Sequence, residues 1–123
     1  MHNVIIKDFI EVKEMMSILV DFFNVNLNSI AYFDVEIGSQ NEGILFEYNK
    51  LEGDFSFELW VYTKLVYSIE ELSMVICKKF NTQTLISDNS DNPYIWVLYN
   101  ESGKIGTVKQ VAREDDIFQI SIP

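Results

Sequence analysis

Four carboxylates, Asp34, Glu36, Glu47 and Glu58, occupy polar positions in three runs where apolar and polar residues alternate. A pair of carboxylates is enough to hydrolyse a glycosidic bond, one as acid and the other as base or nucleophile. Trp60 and Tyr62 would supply aromatic walls for such a cleft. The same acids also read as the solvated side of a half-buried sheet. Other catalytic chemistry is poorly supplied. A serine or cysteine nucleophile needs a nearby base, usually histidine, oriented by a third group. The one histidine, His2, lies beside Met1 in what reads as a mobile end. The one cysteine, Cys77, falls in an apolar helical pattern, the setting of a small core residue. No catalytic residue is assigned.

Metal and cofactor sites are not expected either. Zinc ligation needs several histidines or cysteines. Asp88, Ser90 and Asn92 alternate as in a calcium loop, but Pro93 replaces the required glycine and Tyr99 the bidentate glutamate. No glycine-rich phosphate cradle of Walker or Rossmann type occurs.

Charge points to a binding role. Nineteen Asp and Glu against nine Lys and Arg give a net charge of −10 on 123 residues. Such a surface repels nucleic acid and attracts basic partners. Acids interleaved with large aromatics suit recognition of a basic protein, because charge steers the encounter and aromatics hold it. The expected partner-binding residues are Asp34, Glu36, Glu47, Glu58, Trp60 and Tyr62. A second acidic surface would gather Asp88, Asp91, Glu101, Asp115 and Asp116, if strand topology brings their turns to one edge. Trp60 and Tyr62 are alternatively the buried centre of a homodimer.

A single cysteine forms no internal disulfide. The start of the chain has no basic segment followed by an apolar run, and no stretch is long enough to span a bilayer. The expected location is cytoplasmic, without membrane attachment.

The elements that must position these residues follow from periodicity. Length and composition predict one domain over residues 1–123. Val12, Met15, Met16, Leu19, Phe22 and Phe23 recur at helical spacing over Phe9 to Phe23, with Asp8 and Glu11 as a capping box. Three alternating runs follow, over Ala31 to Ile37, Ile44 to Tyr48 and Phe55 to Tyr62. Their short turns predict an antiparallel meander. Ser68 and Glu71 cap a second helix with the stripe Ile69, Leu72, Val75, Ile76 and Phe80, ending at Asn81. Four more strands are expected, and Tyr94 to Tyr99, apolar on both faces, should lie centrally. The order α-β-β-β-α-β-β-β-β is that of an α+β domain with a largely antiparallel sheet and two helices.

From Ile69 to Ile120 the chain resembles small bacterial immunity proteins of toxin–immunity systems, especially the contact-dependent growth inhibition kind. The resemblance is carried by Glu70-Glu71-Leu72, by Phe80-Asn81-Thr82-Gln83-Thr84-Leu85-Ile86, by Asp91-Asn92-Pro93-Tyr94-Ile95-Trp96 and by Glu114-Asp115-Asp116-Ile117-Phe118-Gln119-Ile120. It implies a protein that is not an enzyme and needs no cofactor. It implies, as partner, a cognate toxin domain, often a nuclease with a basic active site, and it transfers no individual binding residue.

Overall fold

In the computed structural model, which describes residues 2–32, 43–111 and 117–121, the apolar run Val4-Ile5-Ile6 lies at the heart of the molecule. It belongs to a strand, β1 (His2–Ile6), which the sequence pattern did not announce. After it come helix α1 (Val12–Phe23), β2 (Ile30–Tyr32), β3 (Ile44–Lys50), β4 (Glu52–Gly53) and β5 (Phe57–Thr63). Helix α2 (Ile69–Phe80) precedes β6 (Thr84–Ser87), β7 (Ile95–Asn100), β8 (Gly103–Gln110), β9 (Ile117–Phe118) and β10 (Ile120–Ser121). Eight strands form one sheet in the order β10-β8-β7-β6-β1-β5-β3-β2, and β4 pairs with β9 in a small ribbon. The fold is α+β with a largely antiparallel sheet.

β1 joins two halves that would otherwise be separate. It pairs antiparallel with β5 over five residues, from His2 opposite Val61 to Ile6 opposite Phe57, and with β6 through Ile5 and Ile6. Flanked on both sides, it is buried on both faces, so Val4, Ile5 and Ile6 are each no more than 1% exposed. A fully buried aliphatic side chain is worth about 1.5–3 kcal/mol, so this end of the chain is structural and not loose.

The alternation in β3 and β5 is used as the pattern requires. Ile44 and Phe46, with Phe57, Leu59 and Val61, face the helices, in a core completed by Met15, Ile18 and Leu19 of α1 and Leu72, Ile76 and Cys77 of α2. The opposite face of the sheet builds a second core from Ile5, Leu85, Trp96, Leu98 and Val108, covered by Phe55 and Phe118. β7 therefore contributes Val97 and Tyr99 to one core and Trp96 and Leu98 to the other, as its two-sided apolar character demands. The β4–β9 ribbon holds Phe55 and Phe118 in place. Gly53 permits it: its φ is +105°, and a Cβ there would collide with the Phe118 carbonyl.

Three local expectations are corrected. β2, which carries the start of the first run, is parallel to β3, with Ile30 opposite Ile44 and Tyr32 opposite Phe46, where a meander would make it antiparallel; the rest of that run, residues 33–37, lies outside the described residues. Only β3 and β5 form the antiparallel pair. Helix α1 starts at Val12 with Glu11 as N-cap and no side-chain cap bond. Asp8 instead accepts a hydrogen bond from the Thr82 hydroxyl at 2.7 Å, tying the entry of α1 to the exit of α2. In α2 Val75 faces solvent, while Ser73 and Cys77 take places on the buried face. The Ser68 cap is as expected: its hydroxyl accepts from the Glu71 N–H at 3.2 Å, and Asn81 closes the helix in the left-handed region at φ 50°.

Candidate functional site

Because side chains alternate along a strand, burying Leu59 and Val61 under the helices turns Glu58, Trp60 and Tyr62 to the other face. β3 does the same with Leu45, Glu47 and Asn49, and β1 with Asn3. The register sets Glu47 and Asn3 on either side of Trp60, Leu45 beside Tyr62 and Asn49 beside Glu58. The result is one patch on three adjacent strands, with neither helix over it.

Hydrogen bonds fix this patch. The Glu58 carboxylate accepts from Trp60 Nε1 at 2.7 Å, from Asn3 Nδ2 at 2.9 Å and from Asn49 Nδ2 at 3.2 Å. Its Oε1 takes two of these bonds and its Oε2 one. A carboxylate offers about four lone-pair sites, so one remains on Oε2. Glu47 accepts from the Tyr62 hydroxyl. That bond, more than the partial burial, pushes the Tyr62 pKa up to about 12, because ionising the phenol would break it and set two anions together. Glu47 and Glu58 are diagonal neighbours across the β3–β5 ladder, a relation that places Cα atoms about 7–8 Å apart.

Of the residues expected here, the structure brings together Glu47, Glu58, Trp60 and Tyr62. Asp34 and Glu36 lie outside the described residues. The sequence reading missed Asn3 and Asn49, the two amides that orient Glu58. Both are remote in sequence from it or on a neighbouring strand, and only the register reveals them. Four grooves lined by described residues lie elsewhere: beside α2, and around Phe9, Tyr32, Tyr48 and Lys50. Neither Glu47 nor Glu58 lines them.

Within the second acidic surface, Asp88 and Asp91 stand apart from Glu101. Asp88 and Asp91 lie in the loop that enters β7, and Glu101 in the turn that leaves it. Since β7 spans Ile95–Asn100, at about 3.3 Å per residue the two groups stand at opposite ends of a strand. Asp88 is engaged locally: Ser90 donates to its Oδ1 through N–H at 2.9 Å and hydroxyl at 2.7 Å, which holds its pKa below the ordinary value. Asp115 and Asp116 lie outside the described residues. No group of three or more metal-ligating side chains occurs among the described residues.

His2 and Cys77 are both placed. His2 opens β1, and its Nδ1 lies 3.0 Å from the Tyr67 hydroxyl, with the rings edge to face at 5.3 Å. Cys77 is buried, its Sγ 3.3 Å from Thr84 Oγ1, and burial pushes its pKa up. A buried thiol with a raised pKa is a poor nucleophile. Among the described residues no helix is long and apolar enough to cross a membrane. No family model matches the chain, and no curated protein or solved structure is found to be similar to it.

Proposed function

We propose that this protein is a non-catalytic inhibitor of the immunity-protein type, which binds a basic protein partner, a toxin domain such as a nuclease, and occludes it. The observation that carries this reading is the fixed carboxylate patch. Glu58 is held by donors from β1, β3 and its own strand, and Glu47 by Tyr62, on the half-exposed sheet face away from the helices. An anion already locked in place loses little side-chain freedom when it meets a Lys or Arg, and that saving is affinity. Trp60 and Tyr62, whose polar ends are bound to these carboxylates, present ring surface for contact. The net charge of −10 would accelerate the encounter with a cationic surface.

Capture from a lysate of the source organism tests this, at low and high salt, with mass spectrometry of the retained proteins. A single basic protein, retained at low salt, released at high salt and lost on Glu47→Lys or Glu58→Lys, is the expected result. Retention unaffected by either substitution would remove the patch from the interface. A stable dimer with no specific partner would replace the reading with self-association.

A further inference from the structure

At one end of the molecule, on the helix side of the sheet, the loop between β5 and α2 leaves apolar side chains in water. Val66 is 101% exposed and Leu65 47%, and Val75 of α2 is 36% exposed. Two adjoining grooves run there. The larger, of about 620 Å³, has walls of Phe22, Met74, Val75 and Tyr99, with Glu70 and Glu71 as its charged groups. The smaller, of about 290 Å³, shares Phe22, Ser68 and Glu71 and continues over Leu65 and Val66. Ring packing makes the floor firm. Phe23 meets Phe22 and Tyr67 edge to face, both at 5.0 Å, and Tyr67 is braced in turn by His2.

Charge decides what would cover this strip. An anionic bilayer is repelled by Glu70, Glu71 and a chain of net charge −10. A second copy meeting it across a two-fold axis would set the same two acids against themselves. A cationic partner has neither difficulty. An open groove lined by apolar side chains and acids fits a helix with apolar anchors at i, i+3, i+4 and i+7 and basic residues beside them. We infer that this end of the molecule is a docking groove for a basic amphipathic helix of a protein partner. The helix buries its apolar face over Val66 and Val75 and sets Lys or Arg against Glu70 and Glu71. This groove lies across the sheet from Glu47 and Glu58, so it stands or falls independently of the function proposed above.

The test uses methyl-labelled protein and a synthetic peptide of about 18 residues, roughly five helical turns, with Leu and Lys at amphipathic spacing. A scrambled peptide of the same composition serves as control. The amphipathic peptide is expected to shift the methyl resonances of Leu65, Val66, Met74 and Val75, and the scrambled one to leave them unchanged. Val66→Ser with Val75→Ser should weaken binding at least about ten-fold, as the loss of two buried valine contacts implies. Glu70→Gln with Glu71→Gln should weaken it and flatten its salt dependence. All four positions are exposed, and thermal unfolding monitors each variant's fold. Equal binding of the scrambled peptide would overturn the inference, as would shifts centred on the methyls of Leu45, beside Tyr62 on the other face. So would unchanged affinity of the double serine variant, a dimer burying these methyls, or preferential binding of the protein to anionic lipid vesicles.

Discussion

Replacing Ile6 by alanine should cost about as much stability as a mutation in the middle of any core. Ile6 is 0% exposed, stands between Phe57 of β5 and Thr84 of β6, and belongs to the core under the helices. Ile→Ala deletes three carbons, worth about 2.4 kcal/mol at roughly 0.8 kcal/mol each. A strand paired on both edges cannot collapse fully into the vacancy, and the residual cavity brings the loss to about 3–4 kcal/mol, within the usual 2–5. Total stability for such a domain is about 5–15 kcal/mol, so the variant should fold but be severely weakened. In urea, with a slope of about 2 kcal/mol/M, its midpoint should fall by about 1.5–2 M. Lys7→Ala, at the exposed neighbouring position, is the control and should stay within about 0.5 kcal/mol. If Ile6→Ala also stayed within that margin, the terminus would be loose and the central placement of β1 wrong.

Three further outcomes are expected. Alkaline absorbance titration should show Tyr62 and Tyr67 ionising near pH 12, the former assigned by its loss in Tyr62→Phe, and Glu47→Gln should bring Tyr62 back toward 10. The folded pKa exceeds the unfolded one, so this group's contribution to stability is complete below about pH 10 and lost as pH rises toward 12; a Tyr62 ionising near 10 in the wild type would refute the bond to Glu47. Tyr48→Phe should leave stability unchanged or raise it by about 1 kcal/mol, because the Tyr48 hydroxyl is buried with no hydrogen-bond partner among the described residues. A loss above about 1 kcal/mol by denaturant unfolding would show that the hydroxyl is satisfied. Gly53→Ala should destabilise by more than about 1 kcal/mol, since it is strained at φ +105° and drives a methyl into the Phe118 carbonyl. Faster amide exchange in β9 should accompany it; unchanged exchange would mean the β4–β9 ribbon does not depend on that approach.

What the sequence disclosed was whatever is encoded locally. Ser68 and Glu71 marked the start of α2, Asn81 its end, and alternation sorted β3 and β5 into a buried and a half-exposed face. The two-sided apolar run of β7 required cover on both faces and has it. Pairing between distant segments was illegible. Three apolar residues beside the first methionine carry no period, so β1 reads as an end until β5 and β6 are seen to flank it. The parallel β2–β3 pairing depends on a connection whose path composition does not encode. The same limit applies to the candidate site. Glu47, Glu58, Trp60 and Tyr62 share a face by period alone, whereas Asn3 and Asn49 join it only through register. Val75 was misjudged because Ser73, although polar, fits against Thr84 by hydrogen bonding and, with Cys77, claims the buried stripe.

The binding reading is tested most directly by the association rate constant with the captured basic partner, measured by stopped flow from about 0.02 to 0.5 M salt, where screening shortens the Debye length several-fold. The expected result is a rate well above the unsteered range of about 10⁵–10⁶ M⁻¹s⁻¹ at low salt, falling steeply as salt rises. Glu47→Gln with Glu58→Gln should remove part of that slope. A rate that is flat with salt, or a slope identical in the double variant, would contradict the claim that this carboxylate face guides and holds a basic partner.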